Sequence, residues 1–227
     1  MMRSLDSVTF DTTEFEPREG RDGVRVWHTP AGDGLGLFYF PTPPDIPAGI
    51  DSIAEIRAFY RRIALEAGSA IIEVNRLALD GCPAIRTINK VPQQPSGMTY
   101  IGSLTLPFRD FSYVVKVQCR EVGVTGIREA LVADELLQAG VVTIDESGQV
   151  QGWMQDPSDP AAKAPLGRNR ADSEEYDARF PEHPLSRLRS VLKRVQETLR
   201  VTEELKQVPP FTGEKPSVPP KPWWKIY

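Results

Sequence analysis

Two glycines stand where an apolar strand runs into a helical pattern, in the stretch CREVGVTGIREA at residues 119–130. Such a loop can bind phosphate, because glycines let backbone N–H groups approach an anion at the start of a helix. A Walker-type loop also needs a lysine and a hydroxyl after its second glycine, but Ile-Arg-Glu follows Gly126. The dinucleotide fingerprint fails as well, since it needs a third glycine. The stretch therefore favours a tight strand-to-helix connection, with Thr125 as the helix cap.

The two histidines, His28 and His183, are the next candidates for chemistry. A hydrolase needs a histidine bonded to a nucleophile or an acid, and no Gly-x-Ser-x-Gly signature marks a nucleophile here. We interpret His28 as a polar strand end and His183 as fixing a turn before a helix that Ser186 caps. No catalytic residue is predicted. A small hydrolase that uses His28 or His183 with a nearby carboxylate or cysteine remains an alternative.

Acidic residues cluster between positions 156 and 177, in the order DPSDP and then ADSEEYD. A calcium loop needs aspartates at alternate positions, a central glycine and a terminal glutamate, and this order does not supply them. Cys82 and Cys119 lie in apolar runs, so we expect buried thiols rather than a disulfide. The sequence therefore predicts no metal site and no cofactor.

A basic amphipathic helix is predicted over residues 185–206, where apolar residues recur at spacings of four, three and four. The apolar stripe is expected to pack on the protein's own sheet, or on a second copy in a homodimer. The alternative is a docking helix for an acidic partner, with Arg187, Arg189 and Arg194 as partner-binding residues. Nucleic acid is not expected, because the net charge is −4 and the helix lacks groove-reading features.

The chain ends in KPWWKIY, where aromatic and basic residues alternate. Such a segment suits a pocket on a partner protein or a weak contact with a membrane surface. Folding back onto the protein itself is the alternative. The tail residues that we predict to bind a partner are Trp223, Trp224, Lys225, Ile226 and Tyr227.

The elements that must position these groups lie between residues 8 and 140. Two strand candidates flank the hairpin sequence AGDG, a helix follows over residues 51–67, and four strands then follow in succession with short turns. Short joins indicate an antiparallel meander. The predicted fold is α+β, with an antiparallel sheet of about six strands packed against helices and an irregular and helical C-terminal extension. Alternation predicts one outward sheet face that bears Arg86, Lys90, Lys116 and Gln118.

Composition divides the chain into four parts: an α/β domain over residues 1–145, an irregular segment rich in proline and aspartate over 146–184, the amphipathic helix over 185–206, and a proline-rich aromatic tail over 207–227. Proline contributes 21 of 227 residues, about twice the usual ~5%. We expect the last part to be extended or disordered.

The order of elements, with DGCPA before a long strand and TGIRE before the closing helix, resembles the PsbP-like superfamily over residues 8–140. The resemblance implies an α/β sandwich in a group of mostly non-catalytic proteins that dock on partners. It implies no particular binding residues.

The function expected from the sequence is that of a non-enzymatic interaction or adaptor protein, whose sheet face and C-terminal region contact other proteins. The first residues lack the apolar core of a signal peptide, and no stretch reaches the ~20 apolar residues of a membrane span. We therefore predict a cytoplasmic location. A peripheral membrane-surface protein anchored by the aromatic tail is a further alternative.

Overall fold

The computed structural model of this chain describes residues 4–156 and 166–213. Its centre is a seven-stranded antiparallel sheet, which confirms the predicted α+β class. The strands of this sheet are β2 (Glu16–Arg21), β3 (Val24–His28), β4 (Gly34–Phe40), β5 (Ala70–Leu79), β6 (Cys82–Pro92), β7 (Met98–Pro107) and β8 (Ser112–Arg120). They lie side by side in the order β2-β3-β4-β8-β7-β6-β5. Both the predicted hairpin and the predicted meander are therefore present.

The remaining elements flank this sheet. The helices are α1 (Ile53–Glu66), α2 (Ile127–Gln138), α3 (Pro184–Thr198) and α4 (Glu203–Lys206). Two short antiparallel pairs are formed by β1 (Val8–Thr9) with β11 (Arg200–Val201), and by β9 (Thr143–Ile144) with β10 (Val150–Gln151). Within the described ranges, none of the helices has both the length and the apolar character needed to cross a bilayer.

The apolar stripe of α3 packs on one face of the sheet. Leu188, Leu192, Val195 and Leu199 are fully buried in the main core, which confirms the expectation that the stripe packs on the protein's own sheet. Gly102 on β7 permits this contact, because a Cβ there would lie 2.6 Å from Leu192 Cδ1.

Replacing Gly102 with alanine should therefore lower the free energy of unfolding by about 1–3 kcal/mol, because the buried leucines must move to admit the methyl group. Urea unfolding measures this. Gly34→Ala on β4 is the matched control, since a Cβ at Gly34 would meet no atom closer than 3.6 Å. Equal losses for the two variants would contradict the close packing of α3 on β7.

The helix predicted over residues 185–206 is shorter than predicted. It ends at Thr198, where Leu199 takes an extended conformation with ψ of 131°. The next two residues form β11 and pair with β1, and the Thr202 N–H donates to the Ser7 carbonyl. Pairing with the N-terminal strand therefore overrides the helical periodicity at this end.

The opposite face of the sheet is only partly covered by α1. Ile85 on β6 packs with α1 residues, whereas its neighbour Ala84 belongs to the core under α3. Since successive strand residues point to opposite faces, the two helices lie on opposite sides of the sheet. In the part of the chain that is described, α1 packs on β5, which leaves the β2, β3, β4 and β8 side of its face open.

Both edges of the sheet resist the addition of another strand. The edge strand β2 contains Pro17, which has no N–H, and an irregularity between Arg18 and Arg21. At the other edge, Arg57 Nε donates to the Val74 carbonyl at 3.0 Å and Arg168 Nη1 donates to the Ile72 carbonyl at 3.2 Å. A partner is therefore expected to use a face of the sheet rather than an edge.

Candidate functional site

The open face of the sheet forms a groove of about 1060 Å³. We call this surface the sheet groove. Alternate residues of β3, β4 and β8 line it, because every second residue of a strand points to the same side. Its lining includes Val24, Val26, His28, Gly34, Gly36, Phe38, Lys116, Gln118 and Arg120, together with Ile101 from β7 and Glu19 and Arg21 from β2.

Two glycines of β4, Gly34 and Gly36, leave space in the sheet groove because they have no side chains to fill it. A Cβ at Gly36 would lie 2.7 Å from Phe38 Cε2, so the Phe38 ring needs the glycine in order to lie along the strand. At Gly34 the nearest atom to a Cβ would be His28 Cδ2, at 3.6 Å. A side chain at Gly34 would thus fit the backbone and project into the groove.

The charge of the sheet groove is mainly positive. Lys116 Nζ lies 5.5 Å from the centroid of the Phe38 ring, within the range of a cation–π contact. Burial lowers the pKa of Lys116 to about 8, so this ammonium group has lost part of its hydration. Arg21 and Arg120 are exposed at the rim, and Glu19 is the acidic residue of the lining. The groove therefore presents cations beside apolar side chains.

The predicted outward face that bears Arg86, Lys90, Lys116 and Gln118 is correct only in part. Lys116 and Gln118 line the sheet groove. Arg86 and Lys90 point to the other face, where Arg86 Nη1 donates to Gln196 Oε1 at 2.9 Å. The alternation of β6 places both of them under α3, so they belong to the interior.

Of the predicted docking residues on α3, Arg189 is corrected. It is 4% exposed, so it cannot meet a partner. Arg187 and Arg194 are partly exposed, and their role in binding stays a prediction. All three arginines are engaged by acids from other elements of the same chain. These ion pairs join Arg187 to Asp33 at 2.8 Å, Arg189 to Glu73 at 2.8 Å, and Arg194 to Glu14 at 2.7 Å.

The other predicted partner-binding residues, Trp223, Trp224, Lys225, Ile226 and Tyr227, lie outside the described residues. Their role stays a prediction. Cys82 and Cys119 are both buried free thiols, as expected from the sequence.

His183 has a structural role at the start of α3. It is the N-cap, and its Nδ1 accepts from the Leu185 N–H at 3.3 Å. The predicted cap, Ser186, instead accepts from Arg128 Nη1 at 2.8 Å. The prediction that Thr125 caps α2 is also wrong, because Gly126 occupies the N-cap position with a positive φ of 75°. The Ser186 correction involves Arg128, which is 58 positions away in sequence.

Three ionisable groups converge beside this helix start. His183 Nε2 lies 3.8 Å from Glu121 Oε1 and 3.9 Å from Glu129 Oε1. We call these residues the acid-histidine cluster. Burial lowers the pKa of His183 to about 3, with Arg128 adding to the shift, and burial raises the pKa of Glu129. The distances exceed a hydrogen bond, so the hydrolase geometry of a histidine bonded to an acid is not formed at His183.

The sequence predicted an outward sheet face with Lys116 and Gln118 but not the groove on it, and it did not predict the acid-histidine cluster. The signal for the sheet groove is the alternation of glycine with large apolar residues in GLGLFYF. This alternation indicates a strand that has no side chains over part of one face. The acid-histidine cluster has no local signal, since its members come from the end of β8, the first turn of α2 and the start of α3.

Comparison with known proteins shows no family. No family model matches the chain, and no curated protein matches it in sequence. Among solved structures, a crystal structure from Bacteroides thetaiotaomicron VPI-5482 is similar at a TM-score of 0.34 and 8% identity, over 55% of this chain and 42% of the other. This chain therefore spans less than half the length of that protein, and a similarity at this level carries no argument. The resemblance to the PsbP-like superfamily stays a prediction.

Proposed function

We propose that this protein is a non-enzymatic interaction protein that binds an acidic, partly apolar segment of a partner protein in the sheet groove. The observation that carries the proposal is the partly buried Lys116 beside the Phe38 ring, in a groove that Val24, Val26 and Ile101 also line. A carboxylate placed near Lys116 would compensate the hydration that this ammonium group has lost.

The size and surroundings of the sheet groove support a peptide-like occupant. Pockets for small molecules measure about 300–1,000 Å³, and the groove reaches the upper end of that range at about 1060 Å³. Strand addition is disfavoured by Pro17 at one edge and by Arg57 and Arg168 at the other. Recognition would therefore depend on side chains that enter the groove.

The proposal includes a cytoplasmic location. The free thiols of Cys82 and Cys119 favour it, because the cytoplasm keeps thiols reduced. The aromatic tail would supply a second contact with the same partner. Nucleic acid is a poorer fit, since the chain carries a net charge of −4.

Selection from a library of random displayed peptides tests this function. The wild-type protein should enrich sequences that combine Asp or Glu with apolar residues. Gly34→Phe should lose this enrichment, because the added ring fills the groove without a backbone clash. Ala58→Phe, which adds the same ring at an exposed position of α1, is the matched control and should keep it. Failure to enrich acidic sequences, or identical enrichment by Gly34→Phe, would overturn the proposal.

A further inference from the structure

The acid-histidine cluster contains polar atoms that the fold buries without giving them a partner. Among residues 4–156 and 166–213, neither His183 Nε2 nor Glu129 Oε2 finds a hydrogen-bond partner, although both atoms are buried. The His183 side chain is only 8% exposed. Leaving such a group unsatisfied costs about 1–3 kcal/mol, so a fold that does so at two atoms of one cluster calls for an explanation.

The second feature of the cluster is the ion pairing of its two glutamates. No lysine or arginine among the described residues forms an ion pair with Glu121 or Glu129, which each approach only His183. The nearby cations form ion pairs with other acids of the chain, and Asp177 and Glu73 each pair with two arginines. These pairs include Lys90 with Asp172, Arg128 with Asp177, Arg187 with Asp33, and Arg189 with Glu73. Two carboxylates therefore lie beside the imidazole without an ion pair to a lysine or arginine of the described residues.

The orientation of both glutamates is fixed by the protein. Glu121 accepts from the Gly126 N–H through Oε1 and from the Met98 N–H through Oε2, each at 2.8 Å. Glu129 Oε1 accepts from the Tyr100 hydroxyl at 3.2 Å. Hydrogen bonds of this kind, made by groups that could ligate a metal, orient the ligands in metal sites.

We propose that Glu121, Glu129 and His183 form a binding site for a divalent transition-metal ion of the Zn²⁺ class. The candidate ligand atoms all lie within 4.8 Å of one another, with Nε2 at 3.8 and 3.9 Å from the two carboxylate oxygens. Bonds of about 2.0–2.2 Å in a tetrahedral arrangement place ligand atoms roughly 3.3–3.6 Å apart. The two His183 distances must contract by a few tenths of an ångström, and the separation of the carboxylate oxygens, within 4.8 Å, by up to about 1 Å. A movement of the partly exposed Glu129 side chain would close the site around the ion.

The donor set selects this class of ion. An imidazole nitrogen with two carboxylate oxygens suits Zn²⁺, whereas calcium needs about six to eight oxygen ligands. Three protein ligands leave a coordination position for water. Ligation through Nε2 requires the imidazole proton on Nδ1, so the long Leu185 N–H to Nδ1 hydrogen bond of 3.3 Å would be given up. The tautomer of His183 therefore reports directly on metal binding.

Calorimetric titration of the purified full chain with ZnCl₂ tests the site. The wild type should bind one ion per chain. His183→Asn should weaken binding at least about tenfold while it preserves the helix start, because asparagine is also a good N-cap. Glu129→Gln should weaken it similarly. Asp134→Asn is the control. It removes an exposed carboxylate from α2, the helix that carries Glu129, and should bind Zn²⁺ as the wild type does.

Nitrogen-15 NMR of the His183 ring gives an independent readout. Zn²⁺ should move the ring proton from Nε2 to Nδ1 and shift the Nε2 resonance, and thermal unfolding without metal checks that each variant folds. The proposal is overturned if the wild type binds no Zn²⁺, if His183→Asn and Glu129→Gln bind it unchanged, or if the His183 tautomer does not respond. These results are independent of the sheet groove, which lies on another part of the protein.

Discussion

Lys90→Met should destabilise this protein by about 3–5 kcal/mol, the loss typical of removing one partner of a buried ion pair. Lys90 Nζ donates to Asp172 Oδ2 at 2.6 Å, and the two side chains are 3% and 1% exposed. Without Lys90, the Asp172 carboxylate would keep only the Asn169 N–H as a donor to Oδ2 and its own charge would be uncompensated. Urea unfolding measures the loss.

The double variant Lys90→Met with Asp172→Asn separates the charge from the packing. The asparagine can still accept from the Asn169 N–H, so the double variant should recover about 2 kcal/mol or more of the stability lost by Lys90→Met. If Lys90→Met costs less than about 1 kcal/mol, the pair is not the buried link between β6 and the segment before α3 that the structure shows.

Affinity for an acidic peptide should fall as the pH rises from about 7.5 to about 9.5. Burial lowers the pKa of Lys116 to about 8, so the free protein loses the Lys116 charge between these two pH values. At the higher pH, Lys116 must take up a proton before it can pair with a carboxylate of the peptide. The decrease in affinity should reach up to about 25-fold.

Lys116→Arg is the matched variant for this prediction. Arginine stays charged at both pH values, so its affinity should not depend on pH over this range. Lys116→Met should bind at least about tenfold more weakly than the wild type at the lower pH and should also lack the pH dependence. A wild type whose affinity is the same at both pH values would show that Lys116 does not contact the carboxylate of the peptide.

The strands with alternating apolar residues could be predicted from the sequence, because burial of one face sets their period. The seventh strand, β2, could not, since its sequence EPREGR has no such alternation and all of its residues are exposed. It pairs with β3 through the backbone. Local patterns therefore predicted the strands that carry the core, but not the edge that borders the sheet groove.

The roles of charged residues were the least predictable part. Arg189 has the sequence environment of a solvent-facing helix residue, yet its guanidinium is held by Glu73, which is 116 positions away. The acid-histidine cluster likewise joins Glu121 and His183 from distant parts of the chain. A charge on a helix reveals its partner only when the tertiary structure shows which element lies opposite.

The central claim, that the sheet groove binds the partner, is tested most directly by methyl NMR of the isoleucine, leucine and valine side chains during titration with an enriched acidic peptide. We expect the largest shifts at Val24, Val26 and Ile101, which line the groove. The competing apolar surface is that of Val124 and Ile127, which are 78% and 48% exposed at the start of α2. Shifts confined to Val124 and Ile127, with the groove methyl groups unchanged, would contradict the claim.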